Sequence, residues 1–157
     1  MYKYICDSMK KHGYNHYEIS NFSKIGYESK HNLCYWDNSN YYGFGLGASS
    51  YIENRRTTNT RSLNKYMMER YPKEIEYLKD DDKIEYEVML NLRKSSGIDL
   101  ELFKSKYNKS LDEVYDYDEL INLGVLVLDN NHLYIPEDKW YISNSIIVDV
   151  LERKIYG

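Results

Sequence analysis

The sequence predicts an α+β protein in two parts, residues 1–81 and 82–157. Three observations carry this. The N-terminus reads as a helix, a glycine and a short strand, an α/β unit. A glycine-punctuated apolar run follows around Gly43, Gly45 and Gly47. From Asp82 onward, helical apolar stripes are followed by a hairpin and one more helix, the outline of a winged-helix-like domain.

In chain order, residues 2–12 predict a helix, with Ile5 and Met9 four apart on one face and Gly13 at the stop. Residues 16–19 read as a strand. Periodicity then fades, so residues 20–40 are expected to be a long polar and aromatic loop, a length that in a compact domain points to function. Residues 41–52 resemble a strand whose three alternating glycines would share one face, leaving backbone open to a ligand or a neighbouring strand. Residues 53–60 read as a polar connection. Leu63, Tyr66 and Met67 suggest a short helix stopped near Pro72.

Asp80, Asp81 and Asp82 mark a helix start, because carboxylates favour the positive end of the helix dipole. Ile84, Val88, Met89 and Leu92 make its apolar stripe, and Gly97 ends it. Leu100, Leu102 and Phe103 open a second helix. Leu111, Val114, Leu120 and Ile121 fit a third, closed by Gly124. Residues 125–128 and 133–135 flank Asp129-Asn130-Asn131, a hairpin with turn residues at its tip. Ile146, Ile147, Val150 and Leu151 form the last amphipathic helix.

The chain has 157 residues, 42% hydrophobic and 29% charged, with a net charge of −4. That balance gives no basic footprint for nucleic acid or an anionic membrane. The second half sharpens the point, since residues 83–157 hold 9 Lys and Arg against 14 Asp and Glu. No DNA partner is therefore expected despite the winged-helix outline. No apolar stretch approaches the ~20 residues of a membrane span, and no signal peptide is apparent, so a cytoplasmic location is expected. Nineteen tyrosines among many Asn, Lys and Ile read as low-GC codon usage rather than a functional surface. The two cysteines, Cys6 and Cys34, are too few for a disulfide framework or a four-thiolate metal site.

The middle of the chain adds a resemblance. Tyr17-Glu18-Ile19-Ser20-Asn21-Phe22 precedes Gly26-Tyr27-Glu28-Ser29-Lys30-His31-Asn32-Leu33, then Tyr35-Trp36, then Gly43-Phe44-Gly45-Leu46-Gly47-Ala48. Downstream stand Leu90-Asn91-Leu92-Arg93-Lys94 and Gly97-Ile98. In order and spacing this resembles the C-terminal part of radical S-adenosylmethionine proteins of the oxygen-independent coproporphyrinogen III oxidase-like family. The Glu-Ile-Ser-Asn-Phe form resembles the branch implicated as haem chaperones. The resemblance implies that residues 1–81 are the last elements of a partial (β/α) barrel, with the winged-helix-like domain after it. It also implies a parent oxidoreductase family using S-adenosylmethionine and a [4Fe–4S] cluster, with haem or porphyrin as a further ligand.

Three departures qualify that expectation. Lys30 stands where arginine is usual, keeping charge but losing the planar fork. Ser49 replaces a histidine or glycine. The family's Cys-x3-Cys-x2-Cys motif has no counterpart, and three thiolates are needed for the cluster. No cofactor is therefore expected in this chain, which reads as a truncated piece, inactive alone.

The candidate cofactor-binding residues are Glu18, Asn21, His31, Gly43, Gly45 and Gly47. Glu18 and Asn21 fall at a strand end, which faces the active site in α/β barrels; Glu18 could instead pair with Lys24 or Lys30. His31 could ligate haem iron or bond to backbone, and Cys34 could be a ligand or a buried thiol. Tyr35 and Trp36 could stack on a porphyrin or pack in a core. Arg55, Arg56 and Arg61 read as a solvated basic hairpin or a propionate clamp. Two other functions stay open: a protein-interaction module made by the C-terminal domain, and part of a true coproporphyrinogen III dehydrogenase. Bared barrel edges predict association with a second copy.

Overall fold

The computed structural model describes residues 1–68 and 73–155. Its elements mix helix and strand, as α+β requires. Helix α1 (Tyr2–Lys11) buries none of its residues, carries Lys10 and Lys11 at its negative end, and stops before Gly13 at φ +78°. Strands β1 (Asn15–Glu18) and β2 (Asn21–Ser23) form an antiparallel hairpin with an irregularity between His16 and Glu18.

The expected long loop is only partly a loop. β2 and helix α2 (Lys30–Trp36) occupy much of residues 20–40. Ser29 starts α2 by accepting from the Asn32 N–H at 3.3 Å, a cap that requires no apolar periodicity. The expected strand over residues 41–52 is also corrected. Only β3 (Ser49–Ile52) is a strand, and the chain doubles back so that Tyr41 bridges Tyr51. The glycines therefore do not line one strand face. Residues 53–60 are not merely a connection, because β4 (Arg55–Asn59) pairs with β3. Helix α3 (Leu63–Met67) follows; its expected stop at Pro72 lies outside the described residues. β5 (Lys73–Tyr77) completes the sheet in the order β3-β4-β5.

The second half packs around one cluster of buried apolar side chains, all between Ile84 and Val150. Helix α4 (Asp80–Asn91) contributes Ile84 and Val88, with Leu92 at its cap, and Asp82 accepts from the Lys79 N–H at 2.8 Å. Strand β6 (Ile98–Asp99) leads into α5 (Leu100–Tyr107), capped by Asp99 at 2.9 Å from Leu102 N and ended by Asn108 at φ +53°. Next come α6 (Asp118–Asn122), β7 (Val127–Asp129), β8 (His132–Tyr134) and α7 (Ser143–Glu152). The hairpin tip has Asn130 and Asn131 at φ +46° and +66°, the pair of positive values that a tight two-residue turn needs.

Two details depart from the sequence reading. β6 pairs with β8, making a three-stranded sheet β6-β8-β7 where only a hairpin is legible. Gly97 makes this possible: at φ +64°, a Cβ there would meet the Leu133 carbonyl oxygen at 2.2 Å. The expected third helix is broken into a 3-10 turn (Leu111–Glu113) and α6. The C-terminal tail explains the break. Asp116 N donates to Arg153 O at 3.1 Å and Ile155 N to Val114 O at 2.8 Å, so residues 114–116 pair as a strand would.

Candidate functional site

Two of the segments that carry the resemblance, around Glu18 and Trp36, meet the end of α4. Beyond its cap, residues 93–95 add to β1 in antiparallel fashion. Ile19 N donates to Arg93 O at 2.9 Å, and Ser95 N to Tyr17 O at 3.1 Å, with Glu18 opposite Lys94. Asp37, just past Trp36, pairs with the nearly buried Lys94 ammonium, while the Arg93 guanidinium lies 5.8 Å from the Trp36 ring. The two halves of the chain are thus joined by main-chain bonds and by charge.

Glu18 is fully buried. The Asn21 side-chain amide donates to its Oε1, and Ser20 N donates to Oε2 at 3.3 Å. Neither Lys24 nor Lys30 pairs with it among the described residues. A buried carboxylate held by neutral donors within one hairpin orients the Ile19-Ser20 turn and leaves little of itself for a ligand.

His31 sits one residue into α2, exposed. Its Nε2 lies 3.1 Å from the Tyr35 hydroxyl, one helical turn on, and the two rings meet edge-on at 4.9 Å. Tyr35 meets Tyr41 edge-on at 4.5 Å. Tyr41 is tied to Tyr51 by paired main-chain bonds of 2.8 and 2.9 Å, so this run of rings connects α2 to β3. Nδ1 of His31 makes no hydrogen bond among the described residues. Cys34 is half-buried, with Sγ 3.9 Å from Asn40 O.

The glycines serve the loop between Tyr41 and β3. At Gly43 a Cβ would stand 2.0 Å from the Ser49 carbonyl oxygen, so the missing side chain is filled by the chain's own backbone. Gly45 and Gly47 take φ +108° and +68°, and the loop closes through Asn59 Nδ2 to Gly45 O at 2.8 Å and Gly47 N to Thr60 O at 3.0 Å. Tyr42 and Phe44, between them, are 70% and 88% exposed, with rings 6.3 Å apart. The structure therefore brings Glu18 together with Asn21, and His31 together with Tyr35 and Tyr41, while the glycines shape a neighbouring loop.

A third cluster was not legible in sequence. Glu87, buried on α4, accepts from Lys106 Nζ at 2.6 Å, Tyr107 OH at 3.0 Å and Asn38 Nδ2 at 3.3 Å. Asn38, at φ +50°, also accepts from Arg56 Nη2 at 2.9 Å. Arg56 is not a solvated cation: its guanidinium lies 4.4 Å from the Tyr51 ring and 4.0 Å from the Tyr86 ring. Burial, then the Glu87 charge, pushes the Tyr107 hydroxyl well above the ordinary tyrosine range. A cavity of about 560 Å³ opens beside this network, lined in part by Asn38, Tyr51, Lys106 and Tyr107. The signal available in sequence was Glu87 itself, a charge three residues after Ile84 on a buried stripe.

Comparison with known proteins gives a consistent set. Residues 78–140 match the HemN C-terminal domain family. The chain is 40% identical over 153 residues to the haem chaperone HemW of Lactococcus lactis, covering 93% of this chain and 40% of the relative. It is 35% identical over 153 residues to HemW of Bacillus subtilis, with the same coverages. The fold is similar to that of coproporphyrinogen III oxidase (HemN) from Escherichia coli, described as a radical SAM enzyme, at a TM-score of 0.70 and 13% identity over 94% of this chain and 39% of that one. The chain spans about 40% of the length of the curated relatives it matches.

Proposed function

We propose that this chain, similar over residues 78–140 to the HemN C-terminal domain and over most of its length to haem chaperones, belongs to the haem-related branch of the oxygen-independent coproporphyrinogen III oxidase-like family and carries part of a haem-binding surface centred on His31. The observation that carries this reading is the exposed His31 imidazole at the head of α2, propped by Tyr35 and Tyr41. An accessible imidazole can serve as an axial iron ligand, and tyrosine rings beside it offer flat apolar surface to a porphyrin. The names of the relatives support haem as the ligand.

The family's iron–sulfur cluster does not fit the residues present. Two free cysteines, Cys6 on α1 and Cys34 on α2, cannot supply three thiolates, so no step of radical chemistry is assigned to this chain. Nor does Gly43 form an open cradle for S-adenosylmethionine, since backbone fills it. Glu18 and Asn21 are proposed to shape the hairpin beside Asp37 and Lys94 rather than to touch cofactor. Residues 82–157 are proposed to fold as one unit, a reading supported by a buried cluster confined to residues 84–150.

The test is a haem titration of the purified 157-residue chain. The expected result is a stoichiometric Soret shift that is lost in His31→Ala and weakened in Tyr35→Ala. No shift, or identical shifts in wild type and His31→Ala, overturns the reading.

A further inference from the structure

His16 shares none of the contacts described for His31, Tyr35 and Tyr41, and sits instead among other side chains. The side chain is 1% exposed, stacked on Phe22 at 4.0 Å and edge-on to Trp140 at 4.2 Å. Its Nε2 faces the Ile19 carbonyl at 3.4 Å, which fixes the proton on Nε2 and leaves the Nδ1 lone pair bare. Nδ1 has no hydrogen-bond partner. What it faces is another acceptor, Glu137 Oε1, 4.0 Å away and beyond hydrogen-bond reach. Cys6 Sγ completes the group: all three ligand atoms lie within 4.8 Å of one another. A buried imidazole lone pair with no donor, facing a carboxylate and a thiol, is an arrangement a cation resolves.

We propose that Cys6 Sγ, His16 Nδ1 and Glu137 form a binding site for a borderline-soft divalent cation, with zinc the ion their chemistry fits and a fourth position open to solvent. Thiolate, imidazole and carboxylate together are a zinc donor set, with bonds near 2.3 Å to sulfur and about 2.0–2.2 Å to nitrogen and oxygen. A tetrahedral ion needs its ligand atoms roughly 3.3–3.7 Å apart, so closure takes about 1 Å of movement. Glu137 can supply part of it, because its side chain is 49% exposed, and Cys6 part, because α1 buries none of its residues, whereas His16 is held by its rings. The His16 Nε2–H bonded to a carbonyl is the outer contact that orients metal-bound histidines. Burial lowers the His16 pKa, which favours the neutral ligand form. Binding releases the Cys6 proton to solvent. The Tyr2 hydroxyl, pushed up to about 12 by burial and by Cys6, stays protonated and can donate to that thiolate. A cavity of about 620 Å³ lined by Tyr2, Cys6 and Glu137 gives the ion an entry path.

The ligands come from α1, β1 and the turn after Pro136. A bound ion therefore ties the N-terminal helix to the C-terminal half.

Cobalt(II), titrated into the chelator-stripped 157-residue chain, is the probe, followed by zinc competition against a chromogenic chelator. One equivalent of cobalt with a thiolate-to-cobalt charge-transfer band is expected, displaced by zinc. The band should vanish in Cys6→Ser and persist in Cys34→Ser, and Glu137→Gln should weaken zinc binding at least about tenfold. His16→Phe, which keeps the ring packing, should abolish tight binding. Zinc at a hundredfold excess over Kd should raise the melting midpoint by about 5–10 °C. Failure to bind a stoichiometric ion, or equal affinity in wild type and Cys6→Ser, overturns the proposal. Since haem binding is read through His31, the two proposals fail independently.

Discussion

Replacing Glu87 with alanine removes the acceptor shared by Lys106, Tyr107 and Asn38. The side chain is 8% exposed, whereas that of Lys106 is 40% exposed and regains water when its partner goes. The loss therefore falls mainly on Tyr107 OH and the Asn38 amide, which keep their burial but lose their bond. At about 1–2 kcal/mol for the first, about 0.5–1 for the second and a solvent-screened remainder for the ion pair, the expected destabilisation is about 2–4 kcal/mol. Glu87→Gln keeps the shape and one acceptor, so about half that loss is expected. Urea unfolding monitored by tyrosine and tryptophan emission measures both. Tyr107→Phe should cost less in the Glu87→Ala background than in wild type, with a coupling of at least about 1 kcal/mol. Because Asn38 links α2 to this network, amide exchange in residues 30–41 should quicken in Glu87→Ala. A loss below about 0.5 kcal/mol, the level of an ordinary surface change, would refute the claim that Glu87 is the shared acceptor of this network.

Gly97→Ala sets a Cβ against the Leu133 carbonyl at a positive φ, so a loss of at least about 2 kcal/mol in the urea midpoint is expected, against near-neutrality for an exposed Lys104→Ala. Alkaline stability should fall. Burial raises Tyr107, Tyr86 and Tyr117 in the folded chain, so above about pH 10 the unfolded chain loses protons that the folded one keeps. The stability these groups confer is complete below that pH and declines as pH rises, by up to about 1.4 kcal/mol per unit per group, and Tyr107→Phe should flatten the slope of the urea midpoint between about pH 9 and 11. Self-association is expected too, since β5 is exposed at every position on a sheet edge, with Ile75 and Tyr77 51% and 67% exposed. Light scattering that returns a monomer at all concentrations would overturn that expectation.

Local rules were enough where an element is specified by its own residues. α1, α4, α5, the 127–134 hairpin and α7 follow from apolar spacing, acidic starts, glycine stops and an Asn-Asn turn, all short-range effects. α2 and β2 escaped because a capped two-turn helix and a three-residue strand carry too little periodicity to read. The glycine run misled for a related reason. Alternation fits a strand, but Gly45 and Gly47 have positive φ and Gly43 is needed for contact with Ser49, neither of which spacing reveals.

By itself, then, the sequence determined the α+β class, the order of helices in the second half, the family resemblance, and the insufficiency of Cys6 and Cys34 for a cluster. Only the tertiary structure decided which side chains meet. It put Glu18 with Asn21, His31 with Tyr35, and Glu87 with Arg56 through Asn38. It also gathered Cys6, His16 and Glu137, of which the last two are 121 positions apart, around a bare imidazole nitrogen. Helical and turn preferences act over a few residues and are written locally, whereas a site is a coincidence of distant segments that exists only once the core has packed.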